Sequence, residues 1–78
     1  MARIVFNRFN KMQKERNTVH QEVQASYTVF EKDGKQYFQI DTYGRDDRMM
    51  PEKISQSIQI DKEMAVQLVN LLKQTFTL

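Results

Sequence analysis

The sequence predicts an α+β domain, a four-stranded antiparallel sheet followed by one C-terminal amphipathic helix. Three observations predict it. Asp33-Gly34 stands between two runs of alternating residues within 23–43. Asp-Gly in that setting marks a hairpin, because a two-residue type I′ turn needs positive φ at both positions. A third alternating run, KISQSIQI, fills residues 53–60. Beyond Asp61 the apolar spacing changes from two to roughly 3.6 residues, the helical period. The chain of 78 residues reads as one domain, 1–78.

Residues 3–9, RIVFNRF, read as the first strand, with Ile4 and Phe6 on one face and Val5 and Phe9 on the other. Apolar residues on both faces imply partial burial. Residues 10–18, NKMQKERNT, are polar and without apolar period, so they read as a basic loop.

The hairpin is expected over 19–43. Counting outward from the turn opposes Lys32 to Lys35, Phe30 to Tyr37, Val29 to Phe38, Thr28 to Gln39, Tyr27 to Ile40, Ser26 to Asp41 and Gln24 to Tyr43. Alternation sorts these pairs onto two faces. Val23, Ala25, Tyr27, Val29, Phe38, Ile40 and Thr42 make an apolar face, read as the core. The other face is polar but carries three rings, Phe30, Tyr37 and Tyr43. Residues 44–52 read as a loop, with Gly44 freeing the chain and Pro51 unable to donate to a ladder. In the strand 53–60, Ile54, Ile58 and Ile60 share a face with Gln56, and Ser55, Ser57 and Gln59 take the other.

The helix is expected over 61–77. Asp61 is suited to cap the first free N–H groups, Glu63 complements the positive end of the dipole and Lys73 the negative end. Met64, Ala65, Leu68, Val69, Leu71, Leu72 and Phe76 cover about half its circumference. That stripe is wide for one helix on a small sheet. Either one flank meets a second subunit, with Met64, Leu68, Leu71, Leu72 and Phe76 at a homodimer contact, or the sheet curls round the helix and buries the whole stripe. In either case the helix is expected to cover the apolar sheet face.

Composition narrows the function classes. With no cysteine there is no disulfide framework and no thiolate metal site. No apolar run is long enough to span a membrane, so a cytoplasmic protein is expected. His20 stands alone, and Asp46-Asp47 is flanked by Arg45 and Arg48. No phosphate loop, metal-ligand spacing or nucleophile-base pattern occurs, so no enzyme, cofactor, metal or small-molecule substrate is expected. The net charge is +2, but residues 1–20 hold five bases against one acid. A basic arm on a near-neutral body fits an anionic partner, or simply a solvated terminus.

The polar sheet face then suggests what that partner is. Exposed rings on a sheet are stacking platforms for unpaired bases. Phe30, Tyr37 and Tyr43 would stack; Arg45, Arg48 and Lys53 flank them from the loop and Lys32 and Lys35 from the turn. Lys11, Lys14 and Arg16 would extend a phosphate track. Asp41 lies on the same face, where a carboxylate repels phosphate. The competing account makes Phe30–Tyr37 only an aromatic cross-strand pair that stabilises the hairpin. The expected function is single-stranded DNA or RNA binding; the alternative is a protein-interaction or dimerisation module accessory to a nucleic-acid enzyme.

From Tyr37 to Leu72 the chain resembles the positive-cofactor-four-like family of single-stranded-DNA-binding transcriptional coactivators. The resemblance rests on YFQIDTY at 37–43, the loop with Arg45, Asp46, Asp47 and Arg48, then Pro51 and Lys53, SIQI at 57–60, and the capped helix. It implies four curved strands and a helix that dimerises, with Tyr43, Arg45, Arg48 and Lys53 at the nucleic acid. It also implies a role in transcription or DNA maintenance. The chain departs from the family in having Gln56-Ser57 for Lys-Gly and Asp41 where Arg is common, and both changes remove positive charge.

Overall fold

The computed structural model describes residues 1–44 and 53–78. In chain order these form β1 (Ala2–Ile4), a 3-10 turn (Phe6–Arg8), β2 (Ala25–Lys32), β3 (Lys35–Tyr43), β4 (Ile54–Ile60) and α1 (Lys62–Phe76). Four strands and one C-terminal helix make the α+β fold that the sequence predicts.

The hairpin β2–β3 fixes the sheet. Asp33 and Gly34 both adopt positive φ, 54° and 80°. The pairs counted from the turn are present from Lys32–Lys35 through Phe30–Tyr37 to Ser26–Asp41, while the expected Gln24–Tyr43 pair lies beyond the strand. The first strand of the hairpin is shorter than expected. It begins at Ala25, and residues 19–24 lie outside the sheet, although Gln24 still accepts a last bond from the Tyr43 N–H at 3.0 Å.

β4 pairs antiparallel to β3, with Ile60 opposite Phe38 and Ile58 opposite Ile40. The register shifts between Thr42 and Tyr43, so that Tyr43 faces Ile54 and Ser55 is the extra residue. Simple alternation placed Ile54 with Ile58 and Ile60; the bulge breaks that count.

Direction also departs from expectation at β1. The sheet order is β1-β4-β3-β2, and β1 runs parallel to β4, with Ala2 opposite Ile58 and Ile4 opposite Ile60. Alternation marks a strand without giving its direction. Here β1 and β2 occupy opposite edges, so residues 5–24 must carry the chain across three strand spacings, roughly 14 Å. Of the expected strand 3–9 only Arg3 and Ile4 are extended in the sheet, with Ala2 ahead of them. Beyond it the Arg8 N–H bonds the Val5 carbonyl at 3.1 Å and closes the 3-10 turn. Residues 10–18 form neither helix nor strand, as expected of the basic loop.

Asp61 caps α1 as predicted, its Oδ1 accepting from the Met64 N–H at 3.0 Å. The Arg3 guanidinium reaches Asp61 Oδ2 at 3.5 Å and ties β1 to the same cap. The helix ends on Thr77 at φ 57°, whose N–H returns to the Lys73 carbonyl.

The apolar face is not a closed core. Among the described residues Met64 is the one fully buried hydrophobic side chain. Tyr27 is 67% exposed and Val29 59%, and Phe38, Ile40 and Ile58 are each more than a third exposed. The helix was expected to cover them, but it diverges from the sheet. A groove of about 740 Å³ opens between α1 and the hairpin, lined by Val29, Phe38, Ile60 and Ala65 with Lys35 and Glu63. On α1, Val69, Leu71, Leu72 and Phe76 are likewise exposed.

Candidate nucleic-acid interface

The polar face is built in rows across the sheet, starting at the hairpin tip. Lys32 and Lys35 form the first row, Phe30 and Tyr37 the second. Thr28, Gln39 and Gln59 form the third, Ser26, Asp41 and Ser57 the fourth. Rows on one face are two residues apart, about 7 Å.

The first two rows set a pair of lysines beside a pair of rings. Two lysines directly opposed on one face repel each other. The rings of Phe30 and Tyr37 stack with centroids 5.4 Å apart and planes at 25°. Phe30 is 37% exposed and Tyr37 half-buried, so each ring has surface to offer. A second ring pair, Tyr27 with Phe38, stacks at 5.2 Å and 11° on the apolar face. It is a diagonal pair, a contact that hairpin register makes available and that counting direct partners overlooks.

The third and fourth rows are joined by hydrogen bonds. Gln59 Nε2 donates to Gln39 Oε1 at 2.7 Å, and Gln39 Nε2 donates to Asp41 Oδ1 at 2.9 Å. Ser57 Oγ also donates to Asp41 Oδ1. Asp41 and Ser57 are only 6% and 7% exposed. Asp41 is therefore no exposed carboxylate facing a phosphate track; it is a buried acceptor at the centre of a polar network. Sequence alone showed the residue types on this face, but not that they bond one another.

Tyr43 closes the face at the far end. Its hydroxyl is hydrogen-bonded to Ser26 Oγ at 2.8 Å, and the ring is half-buried. Lys53 is exposed just ahead of β4. Arg45 and Arg48, with Asp46, Asp47 and Pro51, lie outside the described residues. Lys11, Lys14 and Arg16 are exposed on the 5–24 link, and among the described residues no ion pair ties them to the sheet. The face thus brings together Lys32, Lys35, Phe30, Tyr37 and, at a distance, Tyr43, and leaves the arm separate.

At the expected dimer contact the residues divide. Met64 is fully buried within the chain, at the start of α1, and is unavailable to a second subunit. Leu71, Leu72 and Phe76 are exposed and Leu68 is half-buried. Among the described residues no cluster of His, Asp and Glu could hold a metal ion, and no helix is long and apolar enough to cross a membrane.

The chain matches no protein-family model, no curated protein and no solved structure.

Proposed function

We propose that this protein is a homodimeric single-stranded nucleic-acid-binding module, acting on DNA in transcription or DNA maintenance. The observation that carries the reading is the Lys32–Lys35 pair set one row from the stacked Phe30 and Tyr37 on a single open face. A phosphate relieves the repulsion between the two ammonium groups, and the neighbouring rings take the attached base. The resemblance of residues 37–72 to the positive-cofactor-four-like family supports the same assignment.

A second copy accounts for the unfilled apolar face. The chain exposes 7625 Å², against about 5,000 Å² for a compact monomer of 9.3 kDa. Its radius of gyration is 14.8 Å, against about 11.5 Å for a compact chain of this length. Part of that excess is the exposed 5–24 link; the rest includes the apolar surface at Tyr27, Val29, Phe38, Leu72 and Phe76, which suits a second copy. The exposed flank of α1, with Leu71, Leu72 and Phe76, provides the contact. The rival reading, a protein-interaction module with a different protein on this surface, rests on the same exposed area.

Fluorescence anisotropy with a labelled single-stranded oligonucleotide tests the reading. Saturable binding that weakens with added salt is expected, and Tyr37→Ala reduces it. Absence of binding at low salt refutes nucleic-acid recognition. Static light scattering of the same sample decides between dimer and monomer.

A further inference from the structure

The outer edge of β2 is a row of unused backbone groups. The sheet order leaves β2 with one neighbour, β3. Gln24 turns its carbonyl to the Tyr43 N–H, and the direction of backbone groups alternates along a strand. Ser26, Thr28, Phe30 and Lys32 therefore bond β3, while Ala25, Tyr27, Val29 and Glu31 point their N–H and C=O groups outward. Among the described residues no backbone hydrogen bond from another segment reaches those four. The side chains of Tyr27 and Val29 are more than half exposed as well. Edge strands are ordinarily blunted by proline, charge or a bulge. Residues 25–30, ASYTVF, hold neither proline nor charge, and their register against β3 is unbroken.

The edge is complementary to itself in one antiparallel register. Opposing Thr28 to Thr28 of a second copy sets Tyr27 against Val29 and Ala25 against Glu31, each pair occurring twice. All four outward residues then have partners. Sliding one copy by two residues opposes Ala25 to Asp33 in the turn, or Glu31 to Val23 outside the strand. An aromatic residue against a β-branched one, and Thr against Thr, are favourable cross-strand pairs. No like charges are opposed, since Glu31 faces Ala25 and Lys32 faces Gln24.

We propose that two copies join edge to edge through β2, centred on Thr28, and that the joined sheet carries one shared binding face. The proposal rests on the nucleic-acid and dimer readings given above. The two-fold axis of such a pair stands perpendicular to the sheet, so like faces stay on one side. Phe30 lies opposite Ser26 of the second copy, four residues along the strand, about 14 Å, from the second Phe30. The two stacked ring pairs sit side by side near the centre, and the two lysine pairs lie at the outer ends of a single track. Both α1 helices fall on the apolar side. There their exposed Leu71, Leu72 and Phe76 add the buried area that strand pairing alone does not supply.

The chain has no cysteine, so an introduced one is its only thiol. Thr28→Cys faces its counterpart in a non-hydrogen-bonded pair, with Cα atoms about 4.5 Å apart, within disulfide reach. Glu31→Cys lies six residues from its counterpart, roughly 20 Å, and is out of reach. After mild oxidation Thr28→Cys is expected to run at twice the chain mass on a non-reducing gel, and Glu31→Cys at the single mass. No linkage in Thr28→Cys, or equal linkage in both variants, overturns the edge pairing and leaves nucleic-acid binding in place. The shared face is tested on the unaltered protein by the stoichiometry of oligothymidylates of increasing length. Strands of about four nucleotides are expected to saturate at one per chain, and strands of about sixteen at one per two chains. One strand per chain at every length overturns the shared face. Linkage in Thr28→Cys with no strand bound at low salt keeps the edge pairing and overturns the nucleic-acid reading.

Discussion

The hydroxyl of Ser57 on β4 donates across the sheet to the carboxylate of Asp41 on β3, and both residues are buried. A hydrogen bond to a charged group contributes about 1.5–3 kcal/mol, and a buried partner left without one costs about 1–3 kcal/mol. Ser57→Ala is therefore expected to lower stability by about 2 kcal/mol in urea unfolding at fixed protein concentration. A loss below a few tenths would mean that the pair is solvated and contributes little.

The helix cap yields a paired comparison. Asp61→Ala removes both the bond to the Met64 N–H and the contact with Arg3 and is expected to cost about 1 kcal/mol. Arg3→Ala is expected to cost only a few tenths, because exposed ion pairs contribute little. Asp61→Asn should keep most of the stability, since an amide oxygen also caps. Thermal unfolding of the three variants checks the order.

Thr77 ends α1 in the left-handed region at φ 57°, which a β-branched residue adopts at a cost. Thr77→Gly is expected to raise stability by about 1 kcal/mol, with the return bond to Lys73 retained. Gly34→Ala goes the other way. No atom crowds its Cβ position, so the expected loss of about 1–2 kcal/mol comes wholly from φ 80°.

The unfilled apolar surface leads to a solution experiment. Leu72→Asp or Phe76→Asp places a charge on the exposed flank of α1. Each is expected to shift the light-scattering mass from dimer toward monomer and to make unfolding occur at lower denaturant. A dimer unaffected by both changes would move the contact to the sheet face around Phe38.

The proposed phosphate contact at the hairpin tip is tested by salt. Replacing Lys32 and Lys35 together with Ala is expected to reduce the slope of log affinity against log salt by about 1.4, if each lysine meets one phosphate of a single strand. An unchanged slope would place the phosphate contacts elsewhere on the chain.

Local chemistry made part of this architecture readable in advance. Asp33-Gly34 set the turn, and from it every hairpin pair followed, because register is a counting consequence once a type I′ turn is fixed. Asp61 announced the helix start in the same way. What escaped depends on partners distant in sequence. β1 finds its partner in β4, more than fifty residues on, and the bulge at Ser55 reflects how Tyr43 meets β4. Asp41 looked misplaced because its bonds run to Ser57 on another strand and to a glutamine whose orientation the sequence does not give. The apolar alternation located a surface that avoids water, but not whether this chain's helix or another molecule covers it.

The parallel strand at the edge has a consequence for the order of assembly. Ala2 pairs with Ile58, fifty-six residues away, whereas the hairpin closes over two. Loop-closure entropy favours the hairpin as the early event. Within this domain β1 precedes its partner β4 in the chain by more than fifty residues, so its edge pairing depends on a strand made much later and is expected to form after the hairpin.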